Sequence, residues 1–488
     1  MSINSLQEFL ALLEKEGELL KIREEVSPEL EITAITDRVV KAQGPALFFE
    51  RVKGHKMPVV TNLFGSFRRL ALAFGVKNIE ELVRKVEEFI EIKEVEGILG
   101  KLRLLPKLWQ AKNVFPKKVE KAPCQEIVLE GDKVDLYKLP ILKCWPKDAG
   151  PFITLPCVIT KDPETGVRNV GMYRMQVFDR KTTGMHWQMH KVGAKHYRKA
   201  EAKGERLPVA VAIGPEPAVI YATTAPLPED VDELILAGFL KGSPVETVPC
   251  ITIPLEVPAQ SQIVLEGYVE PYERRIEGPF GDHTGFYTPP APYPVFHITC
   301  ITMRKEALYP ATIVGKPPQE DCYLGKLTER LFLPLIKKVL PEVVDIHLPW
   351  EGVFHNLAFV SIDKRYPGHA FKVAKAFWGL GQLMFTKIIV VFDKEVNVQD
   401  LREALFYLCA NVDPLRDILI VKGPLDVLDH ASNEIGFGGK MCIDATKKWK
   451  EEGYTREWPE ENLLPNEVIK KAEHILKKLN FLKDLTNN

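Results

Sequence analysis

The chain opens on a capping box, Ser5-Leu6-Gln7-Glu8, which predicts the start of a helix. The apolar residues that follow keep the spacing of one helical face: Leu6, Phe9, Leu10 and Leu13. Further on, stretches with helical periodicity (residues 29–41 and 78–91) alternate with short apolar stretches typical of strands (46–49 and 58–62). This alternation predicts an α/β unit that ends near residue 115.

The pattern changes near residue 126, where short apolar stretches separated by turn residues replace the helical periods. Strands are predicted at residues 152–160, 169–178, 185–190, 208–213, 245–251, 261–269 and 295–302. One stretch in this part, residues 229–240, has clear helical periodicity. So many short strands with so little helix predict a barrel-like sheet rather than a doubly wound one.

After about residue 325 helical and strand patterns alternate again. Helices are predicted at residues 327–339 and 369–380, with one more before the last strand, and strands at 343–347, 357–362, 387–392 and 417–421. This order predicts a largely parallel sheet. The end of the chain carries an apolar stripe that predicts an amphipathic helix: Val468, Ile469, Ala472, Ile475, Leu476 and Leu479. Such a short helix must dock on its own domain or on a neighbouring subunit.

A chain of 488 residues is too long for one simple core, so we expect a multidomain protein of α/β (α+β) class. The predicted units are an N-terminal α/β domain at residues 1–118, a central β-rich domain at residues 119–324, and a C-terminal α/β domain at residues 325–488 that ends in the amphipathic helix.

Composition narrows the class of protein. Hydrophobic residues make up 45% and charged residues 27%, and the net charge is -1, so a globular protein is expected and a nucleic-acid partner is not. The eight cysteines are scattered without a C-x-x-C pair, which argues against a disulfide framework or a structural zinc site. Apolar runs fall well short of the roughly 20 residues that span a bilayer, and no signal peptide is recognised, so a cytoplasmic location is expected.

The segment of residues 276–285, IEGPFGDHTG, sets Glu277 and Asp282 five residues apart in backbone too rich in glycine and proline for a helix. Its glycines permit positive φ or a close approach of the backbone to a neighbour. Two carboxylates held at a fixed separation can split their pKa values and serve as acid and base. The alternative is a plain surface turn, because loops normally collect these residue types.

Polar residues also interrupt two of the predicted strands. Asn169 and Arg174 would face opposite sides of a regular strand, so a shared site requires a bulge, for which Gly171 is the candidate. His186 and His190 would share one face of the next strand. The alternatives are a strand-end amide, an ion-paired arginine and hydrogen-bonded core histidines.

Glu233 shares its helical stripe with Leu236, Ala237 and Leu240, so it is the acidic residue expected to face inward. A buried carboxylate needs a metal or another cation, whereas an exposed one in a frayed first turn needs neither. One histidine with amide and carboxylate oxygens suits a hard divalent ion that anchors a phosphate. The glycine-rich residues 436–440 resemble a phosphate loop in composition only, and a surface lysine is the default interpretation.

These signals, in identity and order, resemble the UbiD family of aromatic-acid decarboxylases, and in particular the 3-octaprenyl-4-hydroxybenzoate decarboxylases of ubiquinone synthesis. The resemblance covers nearly the whole chain. It is carried by the motifs NVGMYR at residues 169–174, LEVPA at 255–259, IVLEGY at 263–268, EGPFGDHTG at 277–285, and Lys440 followed by DAT at 444–446.

The resemblance implies a reversible, non-oxidative decarboxylation with prenylated FMN, bound in a split β-barrel domain between two α/β domains, the second of which serves oligomerisation. It implies that Asn169, His190 and Glu233 bind a divalent metal that bridges to the cofactor phosphate. Manganese is expected first, with Mg²⁺ or Fe²⁺ as alternatives and a monovalent K⁺ as a further candidate. The residues implied to contact the cofactor are Met172, Tyr173, Arg174, His186, Trp187, Gln188, Lys191 and Lys440.

Arg174, Glu277 and Asp282 match the catalytic arginine and the two acids of the family. Loss of CO2 from an aromatic carbon leaves an unstable carbanion, for which the prenylated flavin is the electron sink. By resemblance, Arg174 orients the substrate carboxylate, Glu277 pairs with Arg174 and relays protons, and Asp282 protonates the carbon after CO2 departs.

The chain also departs from the ubiquinone enzymes. His186-Trp187-Gln188 stands in place of Arg-Trp-Leu, and Lys191-Val192 stands in place of Arg-Gly. These departures leave a naphthoate decarboxylase of menaquinone synthesis as an alternative, with a flavin carrier or a plain FMN oxidoreductase as more distant ones. The expected partners are an aromatic acid, a flavin prenyltransferase that supplies the cofactor, further copies of the chain (dimer to hexamer), and the membrane surface through a prenylated substrate.

Overall fold

The computed structural model describes residues 2–92 and 114–478. Its N-terminal part, residues 2–92, is an α/β unit. The helices are α1 (Leu6–Lys15), α2 (Glu31–Lys41), α3 (Phe67–Ala73) and α4 (Ile79–Ile92), and the strands are β1 (Leu19–Val26), β2 (Ala46–Val52) and β3 (Val59–Thr61). Ser5 caps α1 as the capping box predicts, because its hydroxyl accepts a hydrogen bond from the Glu8 amide at 3.2 Å.

The middle of the chain is rich in strands, as predicted. Its strands are β4 (Lys117–Lys118), β5 (Ile127–Glu130), β6 (Phe152–Ile153), β7 (Pro156–Lys161), β8 (Arg168–Gly171), β9 (Met175–Gln176), β10 (Thr182–Gly184), β11 (Leu207–Ile213), β12 (Glu246–Pro249), β13 (Glu256–Pro258), β14 (Ile263–Glu277), β15 (Phe280–Gly281), β16 (Tyr287–Thr288), β17 (Ala291–Met303) and β18 (Tyr309–Pro310). Its helices are α5 (Val192–Ala202), α6 (Pro217–Ala222) and α7 (Glu233–Lys241).

A seven-stranded sheet dominates this middle part. Its order is β10-β17-β14-β11-β7-β8, with β5 also paired to β17, and no closed barrel forms among the described residues. The sheet is buried on both faces, because neighbouring residues of β14 join different cores: Val264 enters one cluster, and Ile263 and Leu265 enter the other. The antiparallel hairpin of β14 and β17 pairs Glu277 with Ala291, so the acidic loop is its tip.

The last part contains the helices α8 (Glu320–Val339), α9 (His369–Trp378), α10 (Leu401–Asn411) and α11 (Asn466–Lys478). Its strands are β19 (Val343–His347), β20 (Leu357–Ile362), β21 (Ile388–Asp393), β22 (Ile418–Pro424) and β23 (Phe437–Asp444). The sheet order is β19-β20-β21-β23-β22. The prediction of a largely parallel sheet is wrong, since only β20-β21 and β21-β23 are parallel. Residues 348–356, between β19 and β20, are too few for the helical crossover that parallel strands need, and residues 425–436, between β22 and β23, form no helix.

Three local predictions in the middle part are also corrected. Residues 185–190 form no strand, so His186 and His190 do not share a strand face. The predicted strand at residues 169–178 is broken into β8 and β9, which belong to different sheets. The predicted helix at residues 229–240 begins only at Glu233, because the Asp232 side chain accepts a hydrogen bond from the Leu234 amide and so forms the N-cap.

Helix α8 joins the two halves of the molecule. Near its start, Tyr323, Leu324 and Leu327 enter a core shared by the N-terminal and middle parts. Near its end, Leu333 and Ile336 pack on the separate core of the C-terminal sheet. Helix α11 buries none of its described residues, and Leu479 of its predicted stripe lies outside the described residues. Among the described helices, none is both long and apolar enough to cross a membrane.

Candidate active site

Arg174 lies between the two acids of the hairpin tip. Its Nε donates to Glu277 Oε1 at 3.0 Å, and its Nη1 donates to Asp282 Oδ2. All three side chains are at least nine-tenths buried. The guanidinium also lies over the ring of Phe280, 4.6 Å from its centroid. The structure therefore brings together the three residues predicted to be catalytic, although Arg174 and Glu277 are 103 positions apart in the sequence.

The break after β8 places Arg174 at this point. The chain leaves the sheet after Gly171, and the amide of Met172 donates to the Thr223 carbonyl at 3.2 Å. A Cβ on Gly171 would lie 2.2 Å from the hydroxyl oxygen of Tyr173, so only glycine leaves room for that side chain to fold back. Residues 172–174 therefore lie between the strands β8 and β9, and not in the expected bulge.

Two polar side chains that sequence reasoning missed hold the acidic loop. Gln176 Oε1 accepts a hydrogen bond from the Gly278 amide, and Asp148 Oδ1 accepts one from the Gly281 amide, both at 2.7 Å. Gly278 has a φ of +97°, and a Cβ on Gly281 would lie 2.2 Å from the Trp145 ring. Gln176 could have been found as a polar residue inside an apolar stretch, whereas Asp148 gives no such signal.

The inner face of Glu277 has unsatisfied polar atoms. His186 Nδ1 lies 2.8 Å from Glu277 Oε1, which also accepts the bond from Arg174. Glu277 Oε2 and His186 Nε2 are buried without a hydrogen-bond partner among the described residues. A Cβ on Gly184 would lie 2.9 Å from Glu277 Oε2, so that position leaves no room for a larger side chain. Buried polar atoms of this kind are typical of a site that a ligand completes.

The charges around Asp282 keep it ionised. Burial alone would raise the pKa of Asp282, but the hydrogen bond from His283 and the charges of Arg174 and His283 outweigh burial and hold it well below its usual range. Thr288 donates a further hydrogen bond to Asp282 Oδ2 at 3.0 Å. In this arrangement Asp282 is a carboxylate that must receive a proton before it can act as an acid.

Among the residues predicted to contact a flavin, Tyr173 and Trp187 contact each other, and they are the sequence neighbours of Arg174 and His186. Trp187 is buried, its Nε1 has no hydrogen-bond partner among the described residues, and its ring meets that of Tyr173 edge-on. Gln188 and Lys191 form the turn before α5, where the Lys191 amide donates to the Gln188 carbonyl at 3.0 Å. The pKa of Lys191 is lowered by burial, which the charge of Asp426 opposes. The unpartnered polar atoms beside aromatic rings fit a polar aromatic cofactor.

Lys440 is buried, so its default interpretation as a surface lysine is wrong. It lies in β23, is 2% exposed, and its ammonium group contacts only the Met384 carbonyl and the Trp378 ring among the described residues. Burial lowers its pKa to about 8. A buried cation without a carboxylate partner fits a phosphate group that would neutralise it.

The residues predicted to bind a metal are only partly assembled. Glu233 is buried, its Oε2 accepts a hydrogen bond from the Val170 amide at 2.7 Å, and burial raises its pKa to about 7. Asn169 is buried beside it in β8. His190 is exposed, and its ring packs 5.5 Å from that of Phe385. The described residues contain no cluster of three or more His, Cys, Asp or Glu side chains close enough to hold a metal. Asn169 and Glu233 fit a hard cation, whereas His190 lies in the turn before α5, next to Lys191.

Comparison with known families gives matches in three successive segments that together cover most of the chain. Three family models match: the 3-octaprenyl-4-hydroxybenzoate carboxy-lyase N-terminal domain at residues 10–88, its Rift-related domain at residues 117–317, and its C-terminal domain at residues 322–445. An uncharacterised protein of Aquifex aeolicus is 56% identical over 477 residues, which cover 97% of this chain and 98% of that protein.

Two solved enzymes have the same fold. The UbiD-class enzyme HmfF from Pelotomaculum thermopropionicum, in complex with FMN, is 34% identical, with a TM-score of 0.78 over 94% of this chain and 97% of that one. The closed form of the vanillic acid decarboxylase of Sedimentibacter hydroxybenzoicus is 31% identical, with a TM-score of 0.86 over 98% and 99% of the two chains. The chain therefore belongs to the UbiD family of carboxy-lyases, decarboxylases that depend on prenylated FMN.

Proposed function

We propose that the chain catalyses the reversible, non-oxidative decarboxylation of an aromatic acid of the 4-hydroxybenzoate type, carrying a polyprenyl chain, in quinone biosynthesis. The observation that carries the chemistry is the buried arginine held between two carboxylates. Vanillic acid, named for the structural relative, is itself a 4-hydroxybenzoate, which supports the proposed substrate class. The family description, 3-octaprenyl-4-hydroxybenzoate carboxy-lyase, supports the polyprenyl chain and the quinone pathway.

Arg174 is proposed to bind the substrate carboxylate. Its Nε and Nη1 are occupied by Glu277 and Asp282, while its Nη2 makes no hydrogen bond to the described residues and is free to donate. Charge-assisted donation of this kind positions a carboxylate strongly. Since Glu277 and Asp282 fix the guanidinium, the substrate carboxylate is held in one orientation while its bond to the ring breaks.

Prenylated FMN, when bound, supplies the electron sink for the pair of electrons that CO2 leaves behind. We propose that Met172, Tyr173, Arg174, His186, Trp187, Gln188 and Lys191 line the cofactor and that Lys440 neutralises its phosphate. We propose further that Asn169, His190 and Glu233 bind a divalent metal, manganese first, near that phosphate. Glu277 then pairs with Arg174 and relays protons, and Asp282 delivers a proton to the ring carbon.

A homo-oligomer, from dimer to hexamer, is proposed as the assembly. The support is the terminal helix α11, whose apolar residues Val468, Ile469 and Ile475 are all exposed in the single chain. A flavin prenyltransferase is the proposed supplier of the cofactor. A prenylated substrate would also hold the enzyme at the surface of a membrane.

The test is to produce the chain with a flavin prenyltransferase, identify the bound flavin by mass spectrometry, and assay CO2 release from a panel of acids. The panel contains 4-hydroxybenzoate, its 3-prenyl derivative, vanillate, a hydroxynaphthoate and a saturated acid. We expect CO2 from the prenylated 4-hydroxybenzoate at the highest rate. Selective release from the hydroxynaphthoate would replace the proposal by the menaquinone alternative, which the residues at 186–188 and 191–192 keep open.

Two further outcomes would contradict the proposal. A chain that binds prenylated flavin but releases no CO2 from any acid would be a flavin carrier, and reduction of the flavin by NAD(P)H would indicate an oxidoreductase. Arg174→Ala and Asp282→Asn are expected to bind flavin and lose CO2 release. Activity retained by either variant would refute the role proposed for that residue.

A further inference from the structure

Asp282 is the first member of a chain of three side chains that leaves the catalytic centre. His283 Nδ1 lies 3.0 Å from Asp282 Oδ1, on the side of the carboxylate away from the Arg174 contact at Oδ2. The other nitrogen of the same ring, His283 Nε2, lies 3.0 Å from His355 Nε2. His355 belongs to the C-terminal part of the molecule, so the contact crosses from the central sheet to the other domain.

The loop that carries His355 is strained into place. Val353 and Phe354 both have positive φ values, +46° and +51°, in a region that residues with bulky side chains seldom enter. A residue in this region is energetically unfavourable and persists only where surrounding contacts hold it. The Phe354 ring stacks on the His283 ring, with 5.6 Å between centroids. A Cβ on Gly325 of α8 would lie 3.0 Å from Phe354, so that glycine makes room for the ring.

Charged groups on every side favour a proton on His283 rather than on His355. Burial alone would lower the pKa of His283, but the hydrogen bond to Asp282 and the charges of Asp282, Asp321 and Asp426 together raise it. Burial, together with the charges of His283 and Lys191, lowers the pKa of His355 to about 4, although the charges of Asp426 and Asp429 oppose this shift. Neutral His355 can then accept the hydrogen bond that the His283 imidazolium donates.

The structure in which the two histidines meet is more similar to the closed form of a related enzyme than to its open form. For the vanillic acid decarboxylase of Sedimentibacter hydroxybenzoicus, the TM-score is 0.86 against the closed form and 0.77 against the open form. The two forms have the same sequence identity to this chain, 31%, so the difference is one of shape. Contact between His283 and His355 therefore belongs to a structure that resembles a closed state.

We propose that His283 is the proton reservoir of Asp282, and that His355 completes this relay from the C-terminal domain. The inference rests on the acid role proposed for Asp282 and supplies what that role lacks, because the carboxylate stands ionised in the structure. His355 acts as a positioning residue: by accepting the hydrogen bond from His283 Nε2, it stabilises the imidazolium and orients its Nδ1 toward Asp282.

The proton transfers balance as follows. The N–H bond at His283 Nδ1 breaks, and its proton forms an O–H bond on Asp282, leaving a neutral imidazole and a neutral carboxylic acid. After CO2 departs, the electron pair left on the ring carbon takes the proton from Asp282, which forms the C–H bond and restores the carboxylate. A proton from water then restores the His283 imidazolium. The sum is one aromatic carboxylate and one proton converted to CO2 and the aromatic product, with no change of oxidation state.

The first experiment measures protonation without relying on activity. The full-length chain, labelled with ¹³C and ¹⁵N in histidine, is titrated by NMR, and the His283 signal is identified by its loss in His283→Asn. The expected result is that His283 titrates above the ordinary histidine pKa of about 6.5 and that His355 stays neutral down to pH 5. A His283 that is neutral at pH 6.5 would overturn the relay, whether or not the wild type releases CO2.

The second experiment uses the pH profile of CO2 release by the enzyme loaded with prenylated FMN. The wild type is expected to lose activity as pH rises through the pKa of His283, because His283 then loses the proton that it would give to Asp282. Asn at position 283 keeps a donor near Asp282 but cannot carry the charge. His283→Asn should therefore lower kcat by roughly 100-fold and remove that limb of the profile. An unchanged limb in this variant would overturn the proposal.

Position 355 supplies a conservative rescue. His355→Phe keeps a ring against His283 and Phe354 but removes the acceptor, so the alkaline limb should move to lower pH by about one unit or more. His355→Gln offers an amide oxygen to His283 Nε2 and should return the limb to its wild-type position. A merely structural role would lower the rate in both variants without moving the limb, and that result would refute the role of His355.

His297 is the matched control, since its Nε2 lies 2.5 Å from Glu273 Oε2 within the β14-β17 hairpin, where His297 is paired with Tyr268. His297→Gln is expected to leave the pH profile unchanged. A shift of equal size in this variant would overturn the assignment. The proposed function and the relay can fail separately. A wild type that is inactive toward every acid would contradict the proposed function, whereas the NMR titration would still test the relay.

Discussion

Replacing Arg174 by alanine tests the electrostatic core of the site directly. The guanidinium donates to Glu277 and to Asp282, and all three side chains are buried, so solvent screens the charges little. Each hydrogen bond to a charged group contributes about 1.5–3 kcal/mol. The combined contribution of the two hydrogen bonds agrees with the loss of roughly 3–5 kcal/mol in stability that is expected when one partner of a buried ion pair is removed. The variant should therefore unfold at a distinctly lower temperature than the wild type at neutral pH.

The loss of stability should depend on pH. In the wild type the folded-state pKa of Asp282 is depressed, so its ionisation stabilises the fold above the unfolded pKa of about 3.9, and that contribution is lost as pH falls below it. Without Arg174, one of the charges that hold this pKa down is lost, so the pKa of the carboxylate moves up from its wild-type value, and the destabilisation is present above the new value. Protonation relieves it at lower pH. The difference between variant and wild type should be largest at pH 8 and smaller at pH 5.5.

The assay is thermal unfolding of the cofactor-free proteins at those two pH values. Arg275→Ala is the matched control, because Arg275 and Asp179 form an ion pair of 3.2 Å whose side chains are about half exposed. Exposed pairs contribute about 0–1 kcal/mol, so this variant should lose little at either pH. The reasoning is refuted if Arg174→Ala loses no more stability than the control, or if its loss is the same at pH 5.5 and pH 8.

Three further predictions concern the proposed acid, the metal and the cofactor phosphate. Asp282→Asn should lower kcat for CO2 release by about 10²–10⁴-fold with flavin retained, because an amide cannot deliver the proton. Glu233→Gln should lower the content of divalent metal measured by mass spectrometry, because it removes the negative charge of a buried carboxylate. Lys440→Met should weaken FMN binding, measured by fluorescence titration, by roughly 10–100-fold, the equivalent of one charge-assisted hydrogen bond. It should not lower the melting temperature, because it removes a buried cation that has no carboxylate partner among the described residues.

Each of these has a matched control on an exposed residue of the same type. Asp179→Asn, Glu229→Gln and Lys422→Met should leave kcat, metal content and FMN binding near wild-type values. Lys422 is especially close in the fold, since it pairs with Gly439, the neighbour of Lys440, across β22 and β23. Equal effects in variant and control would contradict the corresponding prediction.

Elements with strong local patterns could be predicted from the sequence. The stripe from Leu6 to Leu13 forms α1, and the predicted strands at residues 343–347 and 357–362 are β19 and β20 with the same bounds. Their periodicity is local, so it survives whatever the rest of the chain does. Stretches with a weak hydrophobic pattern differ from their predicted structure. Residues 185–190 form no strand, and the glycine-rich residues 436–440 enter strand β23 rather than a surface turn.

The glycines of the acidic loop show where residue chemistry alone was enough. Glycine at these positions predicts either positive φ or a close approach of the backbone to a neighbour. Gly278 and Gly285 adopt positive φ, and Gly281 lies close to Trp145. The sequence could also state which side chains carry acid chemistry. It could not state that Gln176 and Asp148 hold the loop amides, because those contacts join residues 102 and 133 positions apart.

The residue types and their order were therefore sufficient to assign this chain to a family of decarboxylases and to nominate Arg174, Glu277 and Asp282. A hydrophobic pattern indicates that a face is buried, but it does not say which distant element covers it. Contacts such as Arg174 with Asp282, or His283 with His355, depend on how whole sheets and domains pack. Burial then sets the strength of each charge, which is why the ionised state of Asp282 and the unmatched charge of Lys440 emerged only in three dimensions.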